Sequence, residues 1–329
     1  MILAGDIGGT KTKLGLFEND FDSYEPVQTQ TYSSQDYDSL EQILKDFLTE
    51  KNYHLDSASF GVAGPVKDGQ SNPTNLSWKM DERTLSQALD GTPAHLINDL
   101  AAIAQAVPNL SQDDLETIKP GKKETGGTIA VIAPGTGLGE AYLTWDGERY
   151  RAFPSEGGHT DFGPVTGEQR DLLAYLLPKF EHVSYERVCS GIGIPNLYNF
   201  LKETQRYPEP EWLRRKLAQA DDPTPIIVKT AQEKEAPIAE NALNLFISIL
   251  GSEAGNLALK VLATGGVYVG GGIPPRIVGE LRQGAFVDAF THKGRLSGVV
   301  DRIPAYVIRH PEVALYGAAF HARDFLQSN

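Results

Sequence analysis

Two glycine-rich turns, each set between two apolar stretches, constrain the fold of this 329-residue chain more than any other feature. The first is Gly5-Asp-Ile-Gly-Gly-Thr10 and the second is Gly135-Thr-Gly-Leu-Gly139. Glycine adopts positive φ angles and lets backbone N–H groups approach an anion without a Cβ in the way. One such turn is equally well explained as an ordinary β-hairpin. Two of them, far apart in the chain, predict two similar half-molecules that hold one polyphosphate.

The residues around the turns narrow the kind of phosphate site. Thr10 and Lys11 add a hydroxyl donor and a cation to the first turn. The negative charge of Asp6 would repel a phosphate, so its presence beside the turn indicates a metal ion between the carboxylate and the phosphate. Neither turn is a Walker A loop, because the chain contains no Gly-x-x-x-x-Gly-Lys-[Ser/Thr]. The glycines of the second turn are also spaced wrongly for a dinucleotide fingerprint and lead into a strand.

Composition and charge exclude several partners. The formal charge of −13 and the pI near 5.0 argue against nucleic acid, which calls for a basic face. A single cysteine, Cys189, excludes an internal disulfide and a cysteine-rich zinc site. The N-terminus has no basic region and no apolar run reaches about 18 residues, so we expect neither a signal peptide nor a membrane span. These features predict a cytoplasmic protein of two domains.

A candidate catalytic acid lies near the end of a short predicted strand, His95–Ile97, which delivers Asn98 and Asp99 to the start of a small-residue helix. One interpretation makes Asp99 a general base and Asn98 a neighbouring ligand, because open α/β sheets bind ligands at the carboxyl ends of their strands. The alternative makes Asp99 a helix N-cap. Asn75, in a polar loop, is either a substrate ligand or a turn asparagine.

Carboxylates and a histidine suited to sugar hydroxyls occur further along the chain. Glu156 and His159 are separated by two glycines, and a carboxylate with an imidazole holds hydroxyls well because both accept O–H bonds. These two residues alone do not complete a tetrahedral zinc site. Glu186 is either a second sugar-facing carboxylate or a solvated one. The run Gly270–Gly272 either borders a flat ring or makes a tight strand–helix turn.

The remaining pattern predicts an α/β chain. We expect a polar surface loop over Pro108–Glu124, a surface excursion over Gln205–Pro225, a core helix over Ala236–Leu262 and a closing helix over Pro311–Leu326 on the first domain. Further elements are predicted at Gln28–Tyr32 (strand), Asp38–Lys51 (helix), Thr166–Phe180 (helix), Pro195–Glu203 (helix), Ile226–Lys234 (helix) and Ala305–Arg309 (strand).

Taken together, the motifs resemble those of bacterial-type, zinc-free glucokinases over essentially the whole chain. The resemblance implies an α/β, two-domain actin/hexokinase-like (ribonuclease H-like) fold with a ligand cleft between the domains. It places a small domain at 1–108 plus 311–329 and a large one at 109–310. The motifs that carry it are Gly5-Asp-Ile-Gly-Gly-Thr10, Gly61-Val-Ala-Gly-Pro65, Asn75-Leu-Ser-Trp78, Asn98-Asp99, Gly135-Thr-Gly-Leu-Gly139, Glu156-Gly-Gly-His-Thr-Asp161, Glu186-Arg-Val-Cys-Ser-Gly191 and Gly266-Val-Tyr-Val-Gly-Gly-Gly272.

The resemblance implies ATP-dependent phosphorylation of D-glucose at its 6-hydroxyl, with Mg²⁺ as cofactor and a homodimer as the assembly. Asp99 is then the catalytic base, and Asp6 positions Mg²⁺ through water. The implied sugar ligands are Asn75, Asn98, Asp99, Glu156, His159 and Glu186. The implied ATP ligands are Gly5, Asp6, Ile7, Gly8, Gly9, Thr10, Gly135, Thr136, Gly137, Gly270, Gly271 and Gly272. The chain departs from the family pattern at Ile192, at Ile194-Pro195 and at Glu140, a charged residue beside the second turn.

Three other functions use parts of the same pattern. A kinase of another hexose or of an amino sugar would need the same groups, and polyphosphate could replace ATP. A sugar sensor or repressor would usually carry a DNA-binding segment before the first turn. An actin-like polymer or chaperone ATPase has no need of the polar groups Asn98, Asp99, Glu156 and His159.

Overall fold

The computed structural model describes residues 1–19, 25–49, 53–73 and 76–328. Contacts group the chain into two compact units. The first comprises Met1–Ser111, Arg149–Pro154 and His310–Asn329, and the second comprises Gln112–Glu148 and Ser155–Arg309. The domain boundaries drawn from the sequence did not include Arg149–Pro154 in the first group, and they stay a prediction.

The first unit is built on a five-stranded mixed sheet with the order β3-β2-β1-β4-β7. β1 pairs antiparallel with β2 and parallel with β4, and β4 pairs parallel with β7. Two short strands, β5 and β6, form a separate hairpin. The strands are β1 (Ile2–Ile7), β2 (Lys11–Phe17), β3 (Gln28–Ser33), β4 (Ser57–Val62), β5 (Gln70–Ser71), β6 (Met80–Asp81) and β7 (Ala94–Asn98).

Alternation along β1 explains why helices cover both faces of this sheet. Leu3 and Ile7 point to one side, where they join the apolar face of the helix α1 (Leu40–Leu48). Ile2 and Ala4 point to the other, where they join α12 (Val313–Ser328). The predicted packing of the closing helix on this unit is therefore confirmed. The other helices of the unit are α2 (Glu82–Ala88) and α3 (Asp99–Ala106), with 3₁₀ turns at Ser34–Asp36 and Val107–Asn109.

The sheet of the second unit repeats this pattern. Five of its strands follow the order β10-β9-β12-β13-β8. β9 pairs antiparallel with β10 and parallel with β12, and β12 pairs parallel with β13. The strands are β8 (Leu115–Lys119), β9 (Ile129–Pro134), β10 (Leu138–Trp145), β12 (Val267–Val269) and β13 (Ala305–Ile308); β11 (Tyr150–Ser155) consists mainly of residues grouped with the first unit.

The core of the second unit is centred on its longest helix, α8 (Pro237–Lys260), as predicted. This helix is long and apolar enough to cross a membrane, but most of its apolar stretch is buried in the unit, as in a core helix. Side chains on Gly251 and Gly255 would meet the backbone of the neighbouring helix α10 at 2.3 and 2.4 Å, so these glycines permit the close approach. The helices are α4 (Gly167–Phe180), α5 (Gly193–Glu203), α6 (Glu211–Ala218), α7 (Thr224–Gln232), α8, α9 (Val278–Leu281), α10 (Ala285–Thr291) and α11 (Ser297–Val300), with 3₁₀ turns at Gly157–His159, Tyr185–Arg187, Pro274–Arg276 and Gly294–Leu296.

The sequence prediction of a loop over Pro108–Glu124 is wrong. The predicted loop Pro108–Glu124 contains β8, which pairs antiparallel with β13 and buries Ile118. Its polar residues hid it, because an edge strand with one wet face lacks a continuous apolar run. The predicted surface excursion Gln205–Pro225 is confirmed, because most of its residues are exposed. It contains the helix α6, which is anchored by the buried Leu213.

Candidate functional site

The first glycine turn is held by a neighbouring segment through its carbonyl groups. Ser34 donates from its hydroxyl to the Gly8 carbonyl (2.8 Å) and from its backbone N–H to the Thr10 carbonyl (3.0 Å). Gln35 donates from its side chain to the Gly9 carbonyl (2.6 Å). The carbonyl oxygens of Gly8, Gly9 and Thr10 therefore all accept hydrogen bonds from the protein, which reduces their repulsion of a bound phosphate.

Two predicted phosphate ligands have packing roles within β1. A side chain on Gly5 would lie 2.6 Å from the ring of Phe60 and 2.9 Å from Leu14, so a glycine is needed there to let the strands pack. The side chain of Ile7 is buried in the apolar core. Either residue can reach a ligand only through its backbone.

Asp6 and Asp99 form an acidic pair in the first unit. Burial and, to a lesser extent, the proximity of Asp99 together raise the pKa of Asp6 to about 6, against the opposing effect of Lys13. Burial also raises the pKa of Asp99. Two neighbouring carboxylates with raised pKa values are suited to a bound cation, which would favour their charged forms. The Asp6 carboxylate thus fits Mg²⁺, an ion that takes one or two carboxylates and completes its shell with water and phosphate oxygens.

The helix α3 is capped by Asn98, and this leaves Asp99 outside the capping role. The Asn98 Oδ1 accepts bonds from the N–H groups of Leu100 (3.0 Å) and Ala101 (3.2 Å), and its Nδ2 donates to the Gly64 carbonyl (3.1 Å). The carboxamide has two acceptor sites and two donor hydrogens, so one N–H of Asn98 is left for a ligand. Asp99 is the first helical residue, and its Oδ1 accepts a bond from the Leu100 N–H (2.8 Å). The N-cap interpretation of Asp99 is therefore wrong.

The remaining polar candidate of the first unit, Asn75, lies outside the described residues. Its predicted role as a sugar ligand stays a prediction. Gly61, at the end of β4, would bring a side chain to 3.3 Å from the Ala102 Cβ, so it permits the start of α3 to lie close to the strand.

The second glycine turn is held in the same manner as the first. The Gly191 N–H donates to the Gly135 carbonyl (2.7 Å), and the Ile192 N–H donates to the Thr136 carbonyl (3.2 Å). Within the turn, the Gly135 N–H donates to the Gly137 carbonyl (2.9 Å). Ile192, one of the departures from the family pattern, thus anchors the turn through its backbone, which any residue other than proline can do.

Glu186, His159 and Glu156 lie together beside this turn. The Glu186 Oε2 accepts a bond from the Leu138 N–H (3.0 Å), which fixes the carboxylate at the end of the turn. The His159 Nδ1 lies 4.0 Å from the Glu186 Oε1, and its Nε2 lies 3.9 Å from the Glu156 Oε2. Both separations exceed hydrogen-bond length, so the ring nitrogens and these oxygens are available to a polyhydroxyl ligand. Glu156 is largely exposed, whereas Glu186 is partly buried.

A cavity of about 650 Å³ in the second unit contains residues of both the turn and the triple glycine. A side chain on Gly271 (φ +84°) would lie 2.5 Å from the Pro134 carbonyl oxygen, so Gly271 serves packing. Gly272 lines the cavity and has open space at its Cβ position. A helix is expected at the position of α7, but its place in the cavity wall has no sequence signal because it depends on tertiary packing. The cavity is lined by Gly135, Thr136, Gly191, Asp222, Thr224, Pro225, Val228, Lys229, Gln232, Glu233, Gly272, Ile273 and Arg276.

Among the described residues, no group of three or more His, Cys, Asp or Glu side chains is arranged to hold a metal ion. A magnesium ion at Asp6 would accordingly depend on water and on the phosphates of a ligand for most of its shell.

The fold defines the class of protein. The glucokinase from an Antarctic psychrotroph superposes with a TM-score of 0.84 at 32% identity, covering 98% of both chains. A ROK family glucokinase from Streptomyces griseus, in complex with glucose and AMPPNP, shares the fold with a TM-score of 0.64 at 19% identity, covering 98% of this chain and 99% of that one. The chain has the actin/hexokinase-like fold of sugar kinases.

The sequence comparison gives the family. The glucokinase family model matches residues 3–325. The glucokinase of Trichormus variabilis is 40% identical over 338 residues, which cover 98% of each chain. This chain belongs to the glucokinase family, as the motifs predicted.

Proposed function

We propose that this chain transfers the γ-phosphoryl group of ATP to the 6-hydroxyl of D-glucose and releases glucose 6-phosphate and ADP. The observation that carries the proposal is the state of Asp99. It lies at the end of a sheet strand, it is partly buried, and Asn98 performs the capping that would otherwise occupy it. A partly buried carboxylate that is not needed as a helix cap, in a chain of this family, is suited to accept a proton.

Asp99 acts in this proposal as the general base. It accepts the proton of the sugar 6-hydroxyl as the oxygen attacks the γ-phosphorus, and ADP leaves with the electron pair of the broken P–O bond. General-base assistance of this kind contributes roughly 10²–10⁴-fold to the rate. The pKa of Asp99 is raised by burial, which makes the carboxylate a stronger base than an exposed aspartate.

The glycine turns and the second-unit cavity are assigned to ATP. The backbone of Gly8–Thr10 and of Gly135–Gly137 would face the phosphates, and the cavity that includes Gly272 would receive the nucleoside. Its volume of about 650 Å³ is within the range of roughly 300–1,000 Å³ usual for small-molecule sites. Mg²⁺, held by Asp6 through water, would neutralise charge on the phosphates.

The sugar hydroxyls are assigned to side chains whose bonding capacity is still open. Asn98 has one N–H to donate, and Glu186, His159 and Glu156 have the oxygens and ring nitrogens described above. Carboxylates accept hydroxyl protons, and an imidazole either accepts or donates. We assign the activity to the cytoplasm, as a supply of glucose 6-phosphate for glycolysis, and to a homodimer, which light scattering would test.

The experiment is ADP release from Mg-ATP with glucose, mannose, fructose, glucosamine, N-acetylglucosamine and N-acetylmannosamine. We expect glucose to give the highest kcat/KM. Preference for another sugar would keep the kinase and replace the substrate. Sugar binding without ADP release would contradict the catalytic proposal and favour a sensor. Inorganic polyphosphate in place of ATP tests the phosphate donor.

A further inference from the structure

A buried acidic residue that the proposed reaction does not use lies beneath Glu156–His159, the turn that carries two of the proposed sugar ligands and is called the sugar-binding turn below. Glu140, on β10, is 1% exposed. A side chain on Gly157 would lie only 1.9 Å from the Glu140 Oε2, and one on Gly158 would lie 2.0 Å from the Leu138 carbonyl oxygen. Glycine is therefore required at both positions between Glu156 and His159, because the turn lies directly on β10 and the Glu140 carboxyl group lies against the backbone of the turn.

A second buried carboxylate, Glu253 on α8, is 0% exposed and faces the same region. Lys260 donates to its Oε1 (2.9 Å), and Asn256 donates to its Oε2 (2.9 Å). Both oxygens of Glu253 thus have a donor, one of them cationic. The Glu140 Oε1, by contrast, is buried and receives no hydrogen bond from an N–H or O–H donor within the described part of the chain. The Glu140 carboxyl group interacts instead with the side chain of Glu253, and two carboxyl groups form a hydrogen bond only when one of them is protonated.

This difference decides which of the two acids carries a proton. A buried charge without a donor is costly, whereas a buried carboxylate with an ammonium partner is stabilised. Burial and the proximity of Glu253 raise the pKa of Glu140 to about 8, against a smaller opposing effect of Lys260. The proton belongs on Glu140 at neutral pH.

The other titratable groups around Glu140 and Glu253 do not supply a charge that would stabilise an ionised Glu140. Tyr185 accepts a bond from Asn256 (3.0 Å), and its pKa is raised by burial and by Glu253. Burial likewise raises the pKa of the Cys189 thiol, so both stay neutral. Lys293 donates to Asn256 (2.8 Å) and to the Ser252 carbonyl (2.8 Å); burial lowers its pKa, and the charge of Glu253 opposes that shift.

We propose that Glu140, in its protonated form, is a positioning residue for the sugar-binding turn, and that its ionisation above neutral pH weakens glucose binding. The inference rests on the proposed function. A second buried anion beside Glu253 is repelled, and the Glu140 carboxylate can then no longer remain against Gly157. The turn that presents Glu156 and His159 loses its support, and the proton goes to solvent. Asp99 begins α3, after a strand of the first unit's sheet, so turnover by bound substrate is little affected.

The test is the pH dependence of the glucose KM and of kcat, measured from pH 6.5 to 9 for the wild type, Glu140→Gln and Glu203→Gln. Glutamine mimics the protonated acid at every pH. Glu203, an exposed residue paired with Lys179, is the matched control for the same chemical change. For a single ionisation at about pH 8, we expect the wild-type and Glu203→Gln KM to rise up to about tenfold between pH 7 and 9. The KM of Glu140→Gln should stay flat, and kcat should change much less.

The outcomes separate this inference from the proposed function. Parallel KM profiles for the wild type and Glu140→Gln would overturn the inference while glucose phosphorylation stands. A rise confined to kcat would also overturn it, because positioning of the sugar turn acts on KM. Failure of the wild type to phosphorylate glucose at any pH would overturn the proposed function, and the inference with it. Thermal unfolding at each pH verifies that every variant is folded.

Discussion

The two sheets of this protein are built alike, yet their glycine hairpins place a carboxylate in opposite situations. Each has an antiparallel hairpin followed by two parallel strands, β2-β1-β4-β7 and β10-β9-β12-β13. In each, a separate segment binds the turn through its carbonyl groups: Ser34 and Gln35 in the first, Gly191 and Ile192 in the second.

The difference lies in what faces the acid. Asp6 precedes the first turn and lies beside Asp99, where a cation and phosphate are expected to bind. Glu140 follows the second turn and is enclosed by protein, beside an acid that already has its own cation. The same scaffold thus offers one carboxylate to a ligand and keeps another neutral as support for the backbone. Burial and available donors, more than position in the hairpin, decide the role.

The largest expected effect concerns the acid proposed to react. Asp99→Asn should lower kcat for glucose phosphorylation by roughly 10²–10⁴-fold and change glucose affinity little, because the amide keeps the shape and cannot accept the proton. Steady-state ADP release measures kcat, and direct calorimetry measures glucose binding. Asp38→Asn, at an exposed position, is the matched control. Full turnover in Asp99→Asn would remove Asp99 from the role of base.

The next largest effect is expected from a substitution that separates the sugar-binding turn from β10. Gly158→Ala puts a methyl group where the Leu138 carbonyl oxygen is 2.0 Å away, so the turn must move. Overpacking of this kind costs about 1–3 kcal/mol, and we expect the glucose KM to rise by roughly tenfold or more. Gly298→Ala, where nothing lies within 4 Å, is the control and should match the wild type. An unchanged glucose KM in Gly158→Ala would contradict the proposed contact.

A third effect is the pH dependence of stability that follows from Glu140. Its pKa is 4.5 in the unfolded chain and about 8 in the folded one, so the folded protein holds a proton that the unfolded chain has released. The stability that this proton contributes is fully present below about pH 4.5 and is lost as the pH rises to about 8. The Tm of Glu140→Gln relative to the wild type should therefore increase from pH 5 to pH 8. A constant Tm difference over that range would show an ordinary pKa for Glu140.

The smallest effect separates the two bonds of Asn98. Asn98→Ala removes the N-cap of α3 and should destabilise the protein by about 1 kcal/mol. Asn98→Ser keeps a capping oxygen but loses the donor to the Gly64 carbonyl, so it should recover most of that stability. Urea unfolding measures both. Equal loss in the two variants would show that the bond to Gly64, and not the cap, is what matters.

The sequence predicted those features that depend on local pattern. The glycine hairpins, the core helix α8 and the closing helix α12 follow from turn chemistry and apolar periodicity, and the structure confirms all of them. The start of α4 also has a local signal, because threonine is a common N-cap residue and the Thr166 hydroxyl accepts a bond from the Gln169 N–H (3.1 Å).

The features that the sequence did not predict depend on what surrounds a residue. β8 is polar and forms a strand only because β13 offers it an edge. No sequence motif marks the residues of α7 that line the cavity of about 650 Å³, because only tertiary packing brings that helix to the cavity wall. In the sequence, Glu140 is visible only as a departure from the family pattern. The role proposed for Glu140 depends on Glu253, 113 positions away in the chain, and on the two glycines that let the sugar-binding turn approach Glu140.

The most direct measurement is a carboxyl NMR titration of protein labelled with ¹³C at the glutamate side chains, for the wild type and Glu140→Gln. We predict one wild-type signal, absent from the variant, that stays at the shift of a protonated acid through pH 7 and titrates near pH 8. If the signal that disappears in Glu140→Gln titrates near 4.5 instead, Glu140 is ionised at neutral pH, and the contrast between the two acids does not exist.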